Sequence, residues 1–226
     1  MTQKIQNAII AILKQTKENE DLICADTLDS ELIEHLGIAY HGQSTLSINR
    51  EQRITLAKKA VQLGVNFAEI VALLTWKDFE GFVASVLMEN NYVCIESYRR
   101  RGSSLTRGME IDVIGQRGRT IVAIDAKLWS IRAGKASALK KAAEKQKERT
   151  RELSFELNNL SKKMGRLPAG EYQFIPVIVT WLVEEVELHE GVPVVPIFKL
   201  NSFILDFDQY DDLIVSYSGH HHISSN

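Results

Sequence analysis

The chain has 226 residues, 45% hydrophobic and 25% charged, with a net charge of −2. That is enough to bury a substantial core without disulfide or metal staples. The near-neutral balance excludes whole-molecule charge as a basis for nucleic-acid binding, and there is no internal repeat or low-complexity tract. Cys24 and Cys94 are the only cysteines and form no CxxC pair. They read as unpaired thiols in a reducing compartment and argue against structural zinc. The apolar run Ala8–Leu13 is too short to span a membrane and has no cleavage-site pattern. A cytoplasmic protein with no membrane partner is expected.

Apolar residues at helical spacing (Ile5, Ala8, Ile9, Ile12, Leu13) predict a helix over 3–16. Residues 17–34 are acid-rich, Ser30–Leu36 reads as a short helix, and His41–Ser44 as a turn. Ser47-Ile48-Asn49 starts a helix over 50–63 that stops at Gly64, and Asn66–Leu74 is another. Residues 1–74 are therefore expected to be a helical accessory module.

The texture changes at Trp76. Residues 77–90 carry Phe79, Phe82, Val83, Val86 and Leu87 on one helical stripe. Tyr92–Tyr98 reads as a strand, and Arg99–Gly108 as a basic loop. Residues 109–115 and 120–128 read as strands joined by the turn Gln116–Arg119 into a hairpin. A long helix is expected over 135–160. Phe174–Trp181 reads as a central strand, and Val192–Phe198 as an edge or irregular one because of Pro193 and Pro196. Ser202–Leu213 closes with a short helix or turn. The order predicts an α/β fold, a mixed sheet flanked by helices over 75–215, followed by a flexible tail over 216–226.

Chemistry concentrates on the hairpin. By strand alternation Ile121, Ala123, Asp125 and Lys127 share one face of their strand, and on the preceding strand Glu110, Asp112 and Ile114 share a face. Hairpin pairing brings Asp112 beside Asp125. Two acids and a lysine among apolar residues are costly unless they pair or bind a cation. Carboxylates that hold one or two Mg²⁺ ions, with a lysine alongside, are what phosphodiester hydrolysis requires. The Ala126 carbonyl is a natural further ligand. Glu80, on the flank of the preceding helix stripe, is a third candidate acid. Glu110 reads as a neighbour rather than a ligand, and Asp78 as a first-turn helix acid. A bare D-x-K pair on a strand is often only a solvated face or an internal ion pair; the added acids favour the metal-site reading.

Phe79-Glu80, Glu110-Ile111-Asp112-Val113-Ile114 and Ile124-Asp125-Ala126-Lys127 resemble the PD-(D/E)xK nuclease superfamily over roughly residues 75–200. Within it, the likeness is greatest to archaeal Holliday junction resolvases and to type IV restriction endonuclease catalytic domains. The resemblance implies a restriction endonuclease-like core and a nuclease acting on DNA in repair, recombination or restriction. It implies Asp112 and Asp125 as metal ligands, Lys127 as the catalytic lysine, Glu80 as the helix acid, and Mg²⁺ as cofactor with Mn²⁺ substituting. Two departures stand out: Ile111 where proline is common, and Asp125 where glutamate is more frequent. RNA is not excluded as a substrate. A homodimer would suit such an enzyme, since two strands need two cuts. A strict junction resolvase and a non-cutting nucleic-acid binder that keeps the fold are the alternatives.

Gln146 falls on the apolar stripe of the long helix, with Leu139, Ala143 and Leu153. It reads equally as a buried structural hydrogen bond or as a polar residue near the active site, where related nucleases place one. Arg132, Lys135, Lys140, Lys141, Lys145, Lys147, Arg149 and Arg151 make this helix region basic. Arg99, Arg100, Arg101 and Arg107 precede the Asp112 strand. Two basic segments flanking an acidic site read as a phosphate-backbone footprint, with a merely solvated face as the alternative. Trp129 reads as core rather than a base-stacking platform. His220-His221-His222 reads as a disordered, adventitious metal binder.

Overall fold

A computed structural model describes residues 2–17, 23–24, 36, 45–102, 108–129, 134–165 and 167–222. The expected turn at His41–Ser44, all of the expected helix at Ser30–Leu36 except Leu36, Arg107 and Arg132 lie outside the described residues. The chain divides into two compact units, Met1–Gly81 and Phe82–Asn226.

The first unit holds α1 (Thr2–Gln15), the two-residue strands β1 (Ile23–Cys24) and β2 (Thr45–Leu46), α2 (Arg50–Gln62), α3 (Phe67–Ala72) and the start of α4 (Trp76–Glu89). Asn49 and Gln52 form a reciprocal capping box that starts α2. One buried cation ties the unit together. Arg53 on α2 donates to the carbonyls of Leu13 at 3.0 Å and Leu73 at 2.9 Å, pairs with Asp78 at 3.0 Å, and also reaches Thr16. Asp78, expected to act as a first-turn acid, does so by accepting the Thr75 N–H at 2.8 Å. The unit boundary lies inside α4 rather than at residue 74. The first turns of α4 belong with α2, because Arg50 donates to the Lys77 carbonyl and a Cβ on Gly81 would lie 2.6 Å from Arg50.

The second unit is a seven-stranded mixed sheet flanked by helices, as the sequence order implies. Its strands are β3 (Val93–Arg100), β4 (Met109–Arg117), β5 (Thr120–Lys127), β6 (Gly170–Thr180), β7 (Leu188–His189), β8 (Val192–Pro196) and β9 (Tyr217–His221). Strands β3, β4 and β5 form an antiparallel meander. The chain then crosses through α5 (Lys135–Ser154) and α6 (Leu157–Lys163) to β6, parallel to β5. Strand β8 runs parallel to β6, and β7 and β9 pair antiparallel to β8 and β6. Helix α7 (Ile197–Leu205) and a 3₁₀ turn at Phe207–Tyr210 precede β9. Leu153, Leu157 and Leu160 pack with Ile121, Ala123, Tyr172 and Phe174 in one buried cluster on the sheet.

Four local expectations change. The long helix is two, because the chain turns at Phe155–Glu156, where Glu156 bonds Asn159 and Arg100. Strand β8 is flanked by β6 and β7 rather than lying at an edge; β7 pairs with it over only two residues, so its prolines need give up little ladder. Strand β3 extends to Arg100, so Arg99 and Arg100 lie on a strand and not in the loop. The supposed flexible tail contributes β9 to the sheet. Gly219 allows this: a Cβ there would lie 2.6 Å from the Ser154 carbonyl and 2.8 Å from Phe174.

Strand β6 shares one flank between two partners. Strand β9 pairs with residues 170–174 and β8 with 178–180. Pro176, with no N–H to give, sits in the gap between them.

Burial, with Glu96 adding to it, pushes the Cys94 thiol up to about 12. The reactive thiolate is therefore scarce at pH 8. Iodoacetamide at pH 8 is expected to label Cys94 on the order of a hundred-fold more slowly in folded than in urea-unfolded protein, as followed by peptide mass spectrometry.

Candidate active site

Asp112 sits where the regular strand pattern fails. The β3–β4 ladder pairs Glu96 with Val113 and Tyr98 with Ile111, leaving Ser97 opposite Asp112. Ser97 has φ 53, a left-handed conformation that costs a non-glycine residue about 1–2 kcal/mol. Ile95 and Tyr98 on β3, and Ile111 and Ile114 on β4, all pack in one cluster. Residues three apart in a regular strand would point to opposite faces. The face alternation therefore breaks between Ile95 and Tyr98 on β3 and between Ile111 and Ile114 on β4.

The break gives the Asp112 carboxylate a new partner. Its Oδ2 accepts the Ala126 N–H at 2.8 Å. The β4–β5 backbone ladder ends at Val113 and Ile124, and the side chain takes up the next amide. This bond ties the Asp112 carboxylate to the amide of the residue that follows Asp125. Strand β5 is parallel to β6, and Asp125 and Lys127 lie at its C-terminal end, where open α/β sheets present their ligand sites.

Asp125 is buried yet compensated. Lys127 Nζ lies 2.6 Å from its Oδ2, and Arg149 Nη1 lies 3.4 Å from its Oδ1. An unpaired carboxylate at this depth would be strongly destabilising. Lys127 also stands 5.5 Å from the centre of the Trp129 ring. Trp129 is half-buried against the Leu139–Ala143 cluster, and its carbonyl accepts from Trp181 Nε1 at 2.5 Å and Lys135 Nζ at 3.2 Å.

Gln146 is fully buried on α5 and donates through Nε2 to the Ala123 carbonyl at 2.8 Å, while its Oε1 has no hydrogen-bond partner among the described residues. It ties the helix to β5 two residues before Asp125. Glu80 is buried in the first unit and pairs with Lys77 at 2.7 Å. Glu110 pairs with Arg99 at 2.7 Å, in keeping with a neighbour rather than a ligand.

The basic residues separate into two kinds. Arg100 is held by Glu152 at 2.6 Å and Glu156 at 3.1 Å, which makes it a structural tie. Lys135, Lys147 and Arg149 pair with Glu184, Glu190 and Asp125. Lys140, Lys141 and Lys145 are exposed on the outer face of α5, and Arg101 is exposed after β3. The sequence placed Arg149 only in the basic run; its position three residues after buried Gln146 was the available signal. A further group had no sequence signal, because its members are far apart in the chain: Glu144, His189 and Glu190, whose donor atoms lie within 4.8 Å of one another. His220, read as part of a disordered run, lies on β9, and its ring stacks with that of His222 at 6.4 Å between centroids.

The donor set suits a hard cation. Mg²⁺ is usually held by one or two carboxylates together with substrate phosphates, rather than by a full protein cage. Asp112 and Asp125 supply two such carboxylates.

The structure is thus an α/β protein with a mixed seven-stranded sheet, in which a strand end carries the Asp125–Lys127 pair and the Asp112 carboxylate bonds the amide between them. No family model matches the chain. An uncharacterized protein of Archaeoglobus fulgidus is 28% identical over 137 residues, spanning 61% of this chain and 95% of that protein. Among solved structures, protein VC1899 from Vibrio cholerae aligns at TM-score 0.37 and 13% identity, covering 92% of this chain and 51% of that one. Can2 from Sulfobacillus thermosulfidooxidans, solved in complex with cyclic tetra-adenylate, aligns at TM-score 0.35 and 10% identity, covering 91% and 52%. The chain spans about half the length of these two proteins. Among the described residues no helix is long and apolar enough to cross a membrane.

Truncating Gln146 to alanine removes its bond to Ala123 and opens a cavity, and should cost about 2 kcal/mol in urea unfolding. Gln146→Leu also removes the donor to Ala123 but fills the space and discards the unpaired oxygen, so it should cost less than Gln146→Ala, about 1 kcal/mol.

Proposed function

We propose that this protein is a metal-dependent nuclease of the PD-(D/E)xK type that hydrolyses phosphodiester bonds in DNA. One observation carries the reading. The Asp112 carboxylate is fixed by the Ala126 amide beside Asp125, with Lys127 paired to Asp125 at the end of a parallel strand. A structural ion pair needs only one acid and one base. Here a second acid bonds the same strand end, and the residue opposite it on β3, Ser97, is held in a left-handed conformation.

Asp112 and Asp125 would hold Mg²⁺, with Mn²⁺ as a substitute, and the bound ion would supply charge neutralisation at the phosphate and a more acidic water. The remaining work falls to the chain itself. The Asp112–Ala126 bond fixes the orientation of one carboxylate before substrate arrives, which is preorganisation. Lys127 provides a cation beside Asp125, able to stabilise negative charge developing on phosphate or to orient a water. Arg149 balances Asp125 from the other side and stands on the helix whose exposed face carries Lys140, Lys141 and Lys145. Those three lysines supply a sequence-independent attraction for a phosphate backbone.

The test is cleavage of supercoiled, linear, single-stranded and four-way-junction DNA, and of RNA, with Mg²⁺ or Mn²⁺. Asp112→Ala, Asp125→Ala and Lys127→Met should each reduce cutting by roughly 10²-fold or more while DNA affinity is kept. Cutting of junctions alone would make the protein a strict resolvase. Failure to cut any substrate, with binding the same in all variants, would leave a nucleic-acid-binding protein and end the nuclease reading.

Lys140→Ala, Lys141→Ala and Lys145→Ala should weaken duplex binding equally across sequences. For each phosphate that a variant leaves without its lysine, the slope of log affinity against log salt should fall by about 0.9, as measured by fluorescence anisotropy.

A further inference from the structure

Away from the paired acids, α5 meets the β7–β8 hairpin at three potential metal ligands. The ladder pairs Leu188 with Pro193 and His189 with Val192, leaving Glu190 and Gly191 as a two-residue loop. Both have positive φ, 49 and 79. That is the turn class in which asparagine, aspartate or glycine is favoured at the first position. A glutamate there is held against its backbone preference. Its carboxylate, the His189 imidazole and the Glu144 carboxylate on α5 have donor atoms within 4.8 Å of one another. His189 Nε2 is 3.1 Å from Glu144 Oε1, and Lys147 Nζ is 3.0 Å from Glu190 Oε2.

We propose that Glu144, His189 and Glu190 form a second metal site, for a divalent first-row transition ion such as Zn²⁺. Zinc bonds imidazole nitrogen and carboxylate oxygen at about 2.0–2.2 Å, which sets neighbouring donors of a tetrahedral ion about 3.4 Å apart. The His189–Glu144 separation is close to that already. Imidazole in the set selects against Mg²⁺, so this site and the Asp112–Asp125 pair differ in cation class. Lys147 is the built-in competitor: its ammonium neutralises Glu190 when no metal is bound and must yield when one is. The partly exposed ligands leave the remaining coordination positions to water. A bound ion would cross-link α5, which carries Gln146 and Arg149, to the hairpin.

The probe is Zn²⁺ itself, titrated by calorimetry into the full chain. The background carries Asp112→Asn and His220→Ala, His221→Ala and His222→Ala, which removes the other carboxylate site and the histidine run as sources of heat. One equivalent should bind in the micromolar range, with no comparable Mg²⁺ binding. His189→Ala should weaken Zn²⁺ at least ten-fold, and Lys147→Ala should tighten it several-fold by removing the competing cation. Glu190→Gly should raise the metal-free Tm by relieving the left-handed glutamate while it weakens Zn²⁺ binding. Unchanged Zn²⁺ affinity in His189→Ala, or no binding in the background chain, would overturn the site. Because Asp112 is already replaced, neither result bears on the nuclease reading.

Discussion

The candidate site depends on one hydrogen bond, from the Ala126 amide to the Asp112 carboxylate. It closes the β4–β5 ladder with a side chain instead of a backbone carbonyl and so bonds an acid of one strand to the amide that follows Asp125 on the next. The bond is available because β3 and β4 lose their alternation together, with Ser97 left-handed opposite Asp112. The site thus carries local strain, the pattern expected where geometry serves chemistry rather than stability.

Helix α5 is the second organising element, and it works through polar ties as much as through packing. Its apolar stripe covers the sheet through Leu139, Ala143 and Leu153. On the same helix Gln146 bonds β5, Arg149 balances Asp125, Glu152 holds Arg100, and Lys147 and Glu144 reach the β7–β8 hairpin. Gln146 and Asp125 are buried and would be costly to leave unpaired, whereas the pairs to the β7–β8 hairpin are half-exposed and contribute less. The helix register is therefore fixed by chemistry as well as by volume, and the environment of Asp125 is set by the same register.

The far side of the sheet solves a different problem. Strand β6 must pair along its length yet carries Pro176 in its middle. Two short strands from distant parts of the chain, β9 and β8, divide its flank and leave the proline in the gap. Gly219 lets β9 lie against the end of α5, where any side chain would meet the Ser154 carbonyl.

Much of this was legible in the sequence, wherever a pattern is local. Period-two alternation with a short polar turn gave the β4–β5 hairpin, and helical spacing gave α1, α2, α4 and α5 to within a few residues. Asp112, Asp125 and Lys127 stood out because charged groups in apolar strands are expensive. The tertiary structure alone decided the rest. It placed the kink at Ser97, divided the helix at Glu156, drew Tyr217–His221 into the sheet, and turned Arg100 from a loop cation into a tie between β3 and α5. In each case the deciding partner is distant in the chain, as with Arg100 and Glu152, or Arg149 and Asp125. Sequence spacing reports what neighbours along one element can do. Which cation neutralises which buried acid is settled only when the elements pack and water is gone.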